Sequence, residues 1–409
     1  MLTSRGLTLS LAGVGMWFLA RLVGSPGLEV VGLGLAVAPF LAGLTVRRGP
    51  AGVTVRRRLS EVRVAPGTRV TVTLAVRNTT SAATPLLLLE DGLPAPLGRP
   101  ARLVLTDLRP RTERIVSYSL VPHARGRHRI GPLVLDATDA FGLARRRARL
   151  EGREDLIVTP EIEDLSIPPE AGSGAGFGAA RARQLLRSGE DYYTMRGYQE
   201  GDDLRRIHWP SVARTGELMI RQDEASRRAS GMVFVDNRTS ALGRAYTPAF
   251  ERAISVAASL GVLLANAGFA LRLASADRAS ATHAGDRFLD AMASLEDAQI
   301  PNLSTAMTVL RSGSSPETTL VFVGAPPAPQ ELPTLTRAAA GFGPRLAVLV
   351  HPVDPESAPP SRREQLSGRA TQASMTLIRA GWDCIVLTPS TRLLDRWHTP
   401  REHRLASNA

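Results

Sequence analysis

A chain of 409 residues with 44% apolar content is long enough for two or three domains with packed cores, and too apolar for a disordered polymer. Its formal charge is +12, yet all 50 basic residues are arginine. Without lysine, a G-x-x-x-x-G-K-[ST] phosphate loop and Schiff-base chemistry are excluded, since each needs that amine. The single cysteine, Cys384, sits in the apolar run CIVL and cannot form an internal disulfide, so it reads as a buried, inert thiol.

The N-terminus holds two apolar runs, Leu7 to Ala20 and the uncharged 17-residue stretch Val30 to Val46, separated by GSPG. About 20 apolar residues span a bilayer, so residues 1–48 are expected to form a transmembrane helical hairpin, with Arg21 near a helix end where it snorkels. A signal peptide is the alternative, because Arg5 precedes an apolar run and AVA at 36–38 resembles a cleavage site, but that site lies inside the second run. Arg5 flanks the first run and Arg47, Arg48, Arg56, Arg57 and Arg58 follow the second, whereas the turn carries only Arg21 and Glu29. Basic residues stay inside, so both ends are expected in the cytoplasm of a plasma or inner membrane protein.

Residues 49–160 change character. VTVRRRLSEVRV, TRVTVTLAVRN, ARLVLTDL, ERIVSYSLVP and RHRIGPLVLDATD alternate with period two between turn residues, which predicts an antiparallel β-sandwich. RRRARL at 145–150 fits the wet face of a strand better than a nucleic-acid grip, since few aromatics accompany it. Residues 161–230 are expected to be a linker followed by a dense polar segment. The glycines of IPPEAGSGAGFGAA mark a flexible connection and do not follow the G-x-G-x-x-G cofactor fingerprint.

From 231 to 398, GMVFVD, FALRLAS, TTLVFVG, RLAVLVH and DCIVLTP alternate with helical segments, leaving 399–409 as a tail. The clearest helix runs from Thr247 to Ala267, with Pro248 at its first position, Gly268 at its end, and Phe250, Ile254, Ala257, Gly261 and Leu264 on one face. Apolar strands joined by amphipathic helices predict an open parallel α/β sheet, Rossmann-like in outline. Ligands of such sheets bind at the carboxyl ends of the strands, and here the first strand ends in VDNRTS.

This layout resembles a von Willebrand factor A domain, whose first strand ends in Asp-x-Ser-x-Ser and presents a carboxylate and hydroxyls to magnesium. Asp236 and Ser240 match, but Arg238 replaces the first serine, and the strand expected to carry a second aspartate runs VFVGAPP with Gly324. A guanidinium repels a divalent ion and offers no acceptor, so a degenerate, metal-free site is expected, with Arg238 either paired to Asp236 or turned away. No H-E-x-x-H, G-x-S-x-G or S-x-x-K motif is present. No catalytic residue or cofactor follows; a hydrolase built on Tyr198, Asp202, His208 and Ser211 remains the enzymatic alternative.

The segment DYYTMRGYQEGDDLRRIHWPSVARTGELMIRQDEAS resembles the signature of prokaryotic domain-of-unknown-function family 58, matching at Arg196, Tyr198, Gly201, Asp202, Arg205, Arg206, Ile207, Trp209, Ala213, Arg214 and Leu218. Upstream, Gly126, Gly131, Pro132, Asp139, Phe141, Gly142 and Leu143 match a second stretch of the family, while Pro210 stands where the family is usually basic. The resemblance implies a membrane hairpin, a β-rich segment and a von Willebrand A-like domain, working beside a MoxR-type AAA+ ATPase and other membrane proteins with no established catalysis. A magnesium-dependent adhesion or binding module is the alternative.

Local chemistry points the same way. Asp202 is expected to cap a helix from Asp203 to Trp209 that Pro210 stops, with Ser211 starting another turn, Gly216 allowing the exit to ELMIRQ, and Leu204, Ile207 and Trp209 buried. Between Gly189 and Glu224 five arginines face eight acids, a net −3 that makes a poor phosphate grip, so no nucleic-acid partner is expected. The arginines and acids are instead expected to form a partly buried ion-pair network, fastening the segment to the β region or to the first strand of the α/β domain.

Overall fold

The computed structural model describes residues 2–48, 52–84, 86–106, 108–165, 176–186, 193–199, 202–204, 207–223, 229–279, 281–283, 285–311 and 313–398. The chain divides into two units at Thr159 and Pro160.

The first unit opens with helices α1 (Ser4–Val23) and α2 (Pro26–Arg48), each long and apolar enough to cross a membrane. They pack closely because glycines face each other: a Cβ on Gly13 would come 2.4 Å from Ala36 N, and one on Gly32 would come 2.6 Å from Trp17 N. Small residues at such contacts let helices approach where lipid supplies no hydrophobic drive. At the turn, Arg21 pairs with Glu29 at 3.5 Å and lies over the Trp17 ring.

Ten strands follow: β1 (Val53–Leu59), β2 (Arg63–Val64), β3 (Val70–Asn78), β4 (Leu86–Asp91), β5 (Ala101–Leu105), β6 (Glu113–Leu120), β7 (Gly126–Ile130), β8 (Leu133–Thr138), β9 (Arg145–Leu150) and β10 (Glu154–Val158). They form an antiparallel β1-β3-β6 sheet, an antiparallel β5-β4-β8-β9 sheet, and a sheet in which β10 pairs parallel with β2 and antiparallel with β7. Inward residues Val72, Leu74 and Val76 of β3, Leu87 and Leu89 of β4 and Leu135 of β8 share one core with Val46 of α2. Each such side chain contributes about 1.5–3 kcal/mol on burial. Arg57 of β1 crosses to Asp91 of β4, which also accepts from the Tyr118 hydroxyl of β6 at 2.8 Å, tying the first two sheets together. Burial first, then the Asp91 charge, pushes the Tyr118 phenol well above its ordinary range. The stretch RHRIGPLVLDATD is two strands, β7 and β8, broken at Gly131–Pro132 rather than one continuous strand.

The second unit contains α3 (Gly176–Leu186), β11 (Tyr193–Gly197), α4 (Trp209–Thr215), β12 (Met219–Asp223), β13 (Ser230–Val235), α5 (Thr239–Leu242), α6 (Pro248–Asn266), β14 (Ala270–Ser275), β15 (Ala281–His283), α7 (Asp286–Ala293), α8 (Leu303–Arg311), β16 (Thr318–Gly324), α9 (Leu332–Ala338), β17 (Arg345–Val350), α10 (Pro360–Arg379), β18 (Asp383–Leu387) and α11 (Leu393–Trp397). Six strands form one sheet in the order β15-β14-β13-β16-β17-β18, all parallel except the edge strand β15.

Alternate residues of these strands feed two cores. Val233, Val235, Val321 and Val323 pack with α3, α5, α6, α7 and α11 on one face, whereas Met232, Phe234, Leu320 and Phe322 pack with α8, α9 and α10 on the other. Phe234 and Phe322, paired in register, stack with ring centroids 5.7 Å apart. Double coverage explains why these strands read as mostly apolar runs, with Arg272 of β14 the mid-strand exception. Helix α6 is also apolar enough to cross a membrane, but its predicted face of Phe250, Ile254, Ala257, Gly261 and Leu264 is buried against the sheet. Cys384 is only half-buried.

The linker expected from 161 onward needs correction. Glu163 is buried and accepts from Arg252 Nη1 (2.9 Å) and from the backbone N–H groups of Leu393 and Leu394. Helix α3 places Ala182 and Leu185 in the core, and Arg181 donates to Asp383 (2.8 Å) and to the Trp397 carbonyl (2.7 Å). Its glycines mimic a linker, but alanine and leucine in the same run supply helix propensity and an apolar stripe. The intervening residues 166–175 lie outside the described residues.

Candidate functional site

The strand order reverses between β13 and β16, the place where open α/β sheets ordinarily bind ligands. Asp236 follows β13 directly, and its N–H donates to Val323 O at 2.8 Å, which fixes the carboxylate beside the end of β16. Arg238 pairs with it rather than turning away: Nε donates to Asp236 Oδ1 at 2.7 Å and Nη2 to Oδ2 at 2.8 Å. The third guanidinium corner, Nη1, donates to Glu331 Oε1 at 2.7 Å, and Glu331 Oε2 accepts from the Ala328 N–H at 2.9 Å. Arg238 and Asp236 side chains are 4% and 1% exposed, so the fork fills the crevice. Ser240, the other matching position, lies exposed in α5.

Electrostatics follow from this geometry. Burial alone lowers the affinity of Arg238 for its proton, but hydrogen bonds and charge from Asp236 and Glu331 override it and hold the guanidinium firmly charged. Burial pushes the Asp236 carboxyl up, opposed by the Arg238 fork. Burial also opposes ionisation of Glu331, yet the bonds from Arg238 and Ala328 keep it below the usual carboxylate range. Gly324 belongs to the same construction, because a Cβ there would come 2.7 Å from Asp236 Cβ.

Neighbouring loops are knit in by residues that sequence reasoning missed. Asn237 donates to Asp277 Oδ1 (2.9 Å) and Glu296 O (2.7 Å) and accepts from the Ala276 N–H. Asp297 accepts from the Ala245 N–H and from Thr239 Oγ1, both at 3.0 Å. Against burial, the Ser275 hydroxyl (2.7 Å) and then Asn237 hold the Asp277 carboxyl below the ordinary range, and the Ala245 N–H and Thr239 do the same for Asp297. Only the polar run DNRT hinted at Asn237; the others lie about 40–60 residues away.

The signature segment forms a separate structure within the second unit. Strands β11 and β12 pair antiparallel, Tyr198 N donates to Leu218 O at 2.8 Å, and Ile207 bridges to Ile220. Asp202 does not cap a following helix; it accepts from Arg196 Nη2 at 2.6 Å and from Gln199 N at 2.9 Å. The Arg196 hydrogen bond, followed by that of Gln199, lowers the Asp202 carboxyl. The helix runs from Trp209 to Thr215, so Pro210 begins a helix instead of stopping one, as its fixed φ and missing N–H allow at a first turn. Gly216, at φ 74°, gives the expected exit before β12.

Burial is the second correction. Ile207 is half-buried, but Trp209 is 65% and Leu204 60% exposed, and Leu218 is exposed as well. Ala213 and Arg214 lie on the exposed surface of α4. The Arg196–Asp202 pair lies within the segment itself and is only part-buried. His208 Nδ1 lies 2.9 Å from Ser211 Oγ across the first turn of α4. Gly201, Arg205 and Arg206 lie outside the described residues.

Comparison with known proteins finds a family likeness over part of the second unit. Residues 194–324 match the model for the protein of unknown function DUF58. The uncharacterized protein YeaD of Bacillus subtilis (strain 168) is 26% identical over 234 residues, which cover 55% of this chain and 56% of that protein. Among solved structures, the CARDB domain of the PF1109 protein from Pyrococcus furiosus, in complex with di-metal ions, is 14% identical, covering 26% of this chain and 91% of that one at a TM-score of 0.21. The solution structure of the same domain is 18% identical, covering 26% and 94%, at a TM-score of 0.20. The likeness to DUF58 is thus confined to residues 194–324, and the chain spans about half the length of the curated relative it matches.

Proposed function

We propose that this DUF58-type chain is a membrane-anchored, non-enzymatic interaction protein. Helices α1 and α2 span the bilayer with both ends cytoplasmic, a β-sandwich follows, and a von Willebrand A-like unit works without metal. Support for the orientation is that Arg5 and Arg47 flank the open end of the hairpin, while Arg21 at the turn is paired with Glu29. The observation that carries the reading is the exposed trio Leu204, Trp209 and Leu218 in the signature segment. Large apolar side chains left exposed within one short segment are a signal of a surface kept for a partner, and tryptophan is among the residue types enriched at the anchors of such contacts. A MoxR-type AAA+ ATPase is the partner implied by the family resemblance. Full-length chain in lipid nanodiscs should capture the ATPase of its own genome, and failure of that capture would refute the partnership.

The absence of metal chemistry rests on the Asp236 carboxylate, both of whose oxygens already accept from Arg238. A magnesium ion would have to displace a bidentate guanidinium from a buried site. Calorimetry with magnesium should show no saturable binding; binding that is lost in Asp236→Ala would restore the metal-dependent adhesion reading. The hydrolase reading draws on the His208–Ser211 contact, which spans the first turn of α4 as a capping pair does. Ester hydrolysis that disappeared in Ser211→Ala would revive it.

A further inference from the structure

The solvent face of the β1-β3-β6 sheet carries a second charged feature. Arg56 of β1, Arg77 of β3 and Arg111 of the β5–β6 turn line a cavity of about 290 Å³ together with Thr54, Thr79 and a single acid, Glu113. Register explains the convergence: Thr54 pairs with Arg77, and Arg77 with Glu113, so the three strands present these side chains in one row. Among the described residues, none of the three arginines makes an ion pair or a side-chain hydrogen bond. Arg111 is also held at φ 56°, a left-handed conformation in which glycine or asparagine is the ordinary choice. Three unpaired guanidiniums around one concavity repel each other unless an anion joins them, and their planar forks match phosphate oxygens.

The same unit shows where this cavity stands relative to the hairpin. The first residue of β1 and the last of β3 pair, and Asn78 at that end donates to Leu108 O just past β5. Leu105 of β5 pairs with Leu87 near the start of β4, whose Leu86 pairs with Thr138 at the end of β8. The turn after β8 is bonded to the start of α1, through Thr3 Oγ1 to Gly142 O at 2.7 Å and the Leu2–Ala144 bridge. Arg146 donates to the Arg47 carbonyl at the end of α2. Both feet of the hairpin therefore stand at the end of the strands where the cavity's lining residues lie. Thr54 follows the last residue of α2 by six positions, at most roughly 20 Å of extended chain. Phe141, 80% exposed, precedes Gly142, whose carbonyl is bonded to Thr3 at the start of α1.

We propose that the Arg56–Arg77–Arg111 cavity holds the phosphate of an anionic membrane lipid headgroup. The guanidiniums take the phosphate oxygens, the Thr54 hydroxyl donates a further bond, and Glu113 accepts from a headgroup hydroxyl. A volume of about 290 Å³ lies at the small end of ligand sites, suited to a headgroup and not to acyl chains. The inference rests on the hairpin crossing the bilayer, and is independent of any protein partner.

The test titrates full-length chain in neutral detergent with dihexanoyl phosphatidylglycerol, dihexanoyl phosphatidylcholine and inorganic phosphate, read by calorimetry. Phosphatidylglycerol should bind saturably, and both other probes at least about tenfold more weakly. The double variant Arg77→Gln/Arg111→Asn, at exposed positions, should keep its thermal midpoint and lose about tenfold in affinity. The control Arg127→Gln/Arg129→Gln removes equal charge elsewhere and should bind as the parent does. Unchanged affinity in the first double variant, equal loss in the control, or inorganic phosphate or phosphatidylcholine binding as tightly as phosphatidylglycerol each overturn the proposal. A chain that stays monodisperse without detergent would instead overturn the membrane reading itself.

Discussion

Replacing Arg238 by alanine strips both Asp236 oxygens and Glu331 Oε1 of their donors while Asp236 stays buried. Removing one partner of a buried, hydrogen-bonded ion pair costs about 3–5 kcal/mol, because the remaining charge has lost its water and gained nothing. Asp236 can limit that cost by taking up a proton, as burial already favours. The sign is then fixed. A carboxyl whose folded pKa is raised contributes stability below its unfolded value and loses it as pH rises through the folded one. Arg238→Ala should therefore be closer to wild type near pH 5 than near pH 8, with a deficit at pH 8 of about 3 kcal/mol or more. Trp382 and Trp397, both buried in this unit, report its unfolding by fluorescence in urea. A deficit below about 1 kcal/mol at pH 8, or one that grows on acidification, would refute the buried-pair argument.

Gly324→Ala, whose Cβ would meet Asp236 Cβ at 2.7 Å, should lower stability by about 1–3 kcal/mol in the same urea experiment. Arg181→Ala, which frees α3 from Asp383 and Trp397, should cost about 3 kcal/mol and expose the 160–186 region to proteolysis. His351 is buried with no partner on Nδ1, and burial holds its ring below the ordinary 6.5. A depressed histidine leaves the folded state without the proton that the unfolded chain binds, so stability is full above about 6.5 and falls on acidification toward the folded value. His351→Leu should flatten that slope, as read from urea midpoints across the range.

What the sequence disclosed follows from how each element is covered. The five parallel strands were legible because both faces are covered and, Arg272 of β14 apart, no charged residue breaks their interiors, and α6 because Thr247, Pro248 and Gly268 punctuate its ends. Strand β4 was not, since LLLLED has no alternation to read although alternate leucines point inward. Helix α3 was hidden by its glycines. The Asp236–Arg238 pair was visible as a two-residue spacing, but Glu331, 93 residues from Arg238, becomes its partner only through the β13–β16 pairing. Trp209 was assigned to a core on hydrophobicity alone, which records the gain from burial but not whether a neighbour in the same chain supplies it.

That exposure is where the account can be tested most directly. A photo-crosslinking residue in place of Trp209, carried by full-length chain in its native membrane, should trap the MoxR-type ATPase, while the same residue at exposed Met375 on α10 should not. No adduct from position 209, or an equal yield from both positions, would contradict the claim that the signature segment is a docking surface.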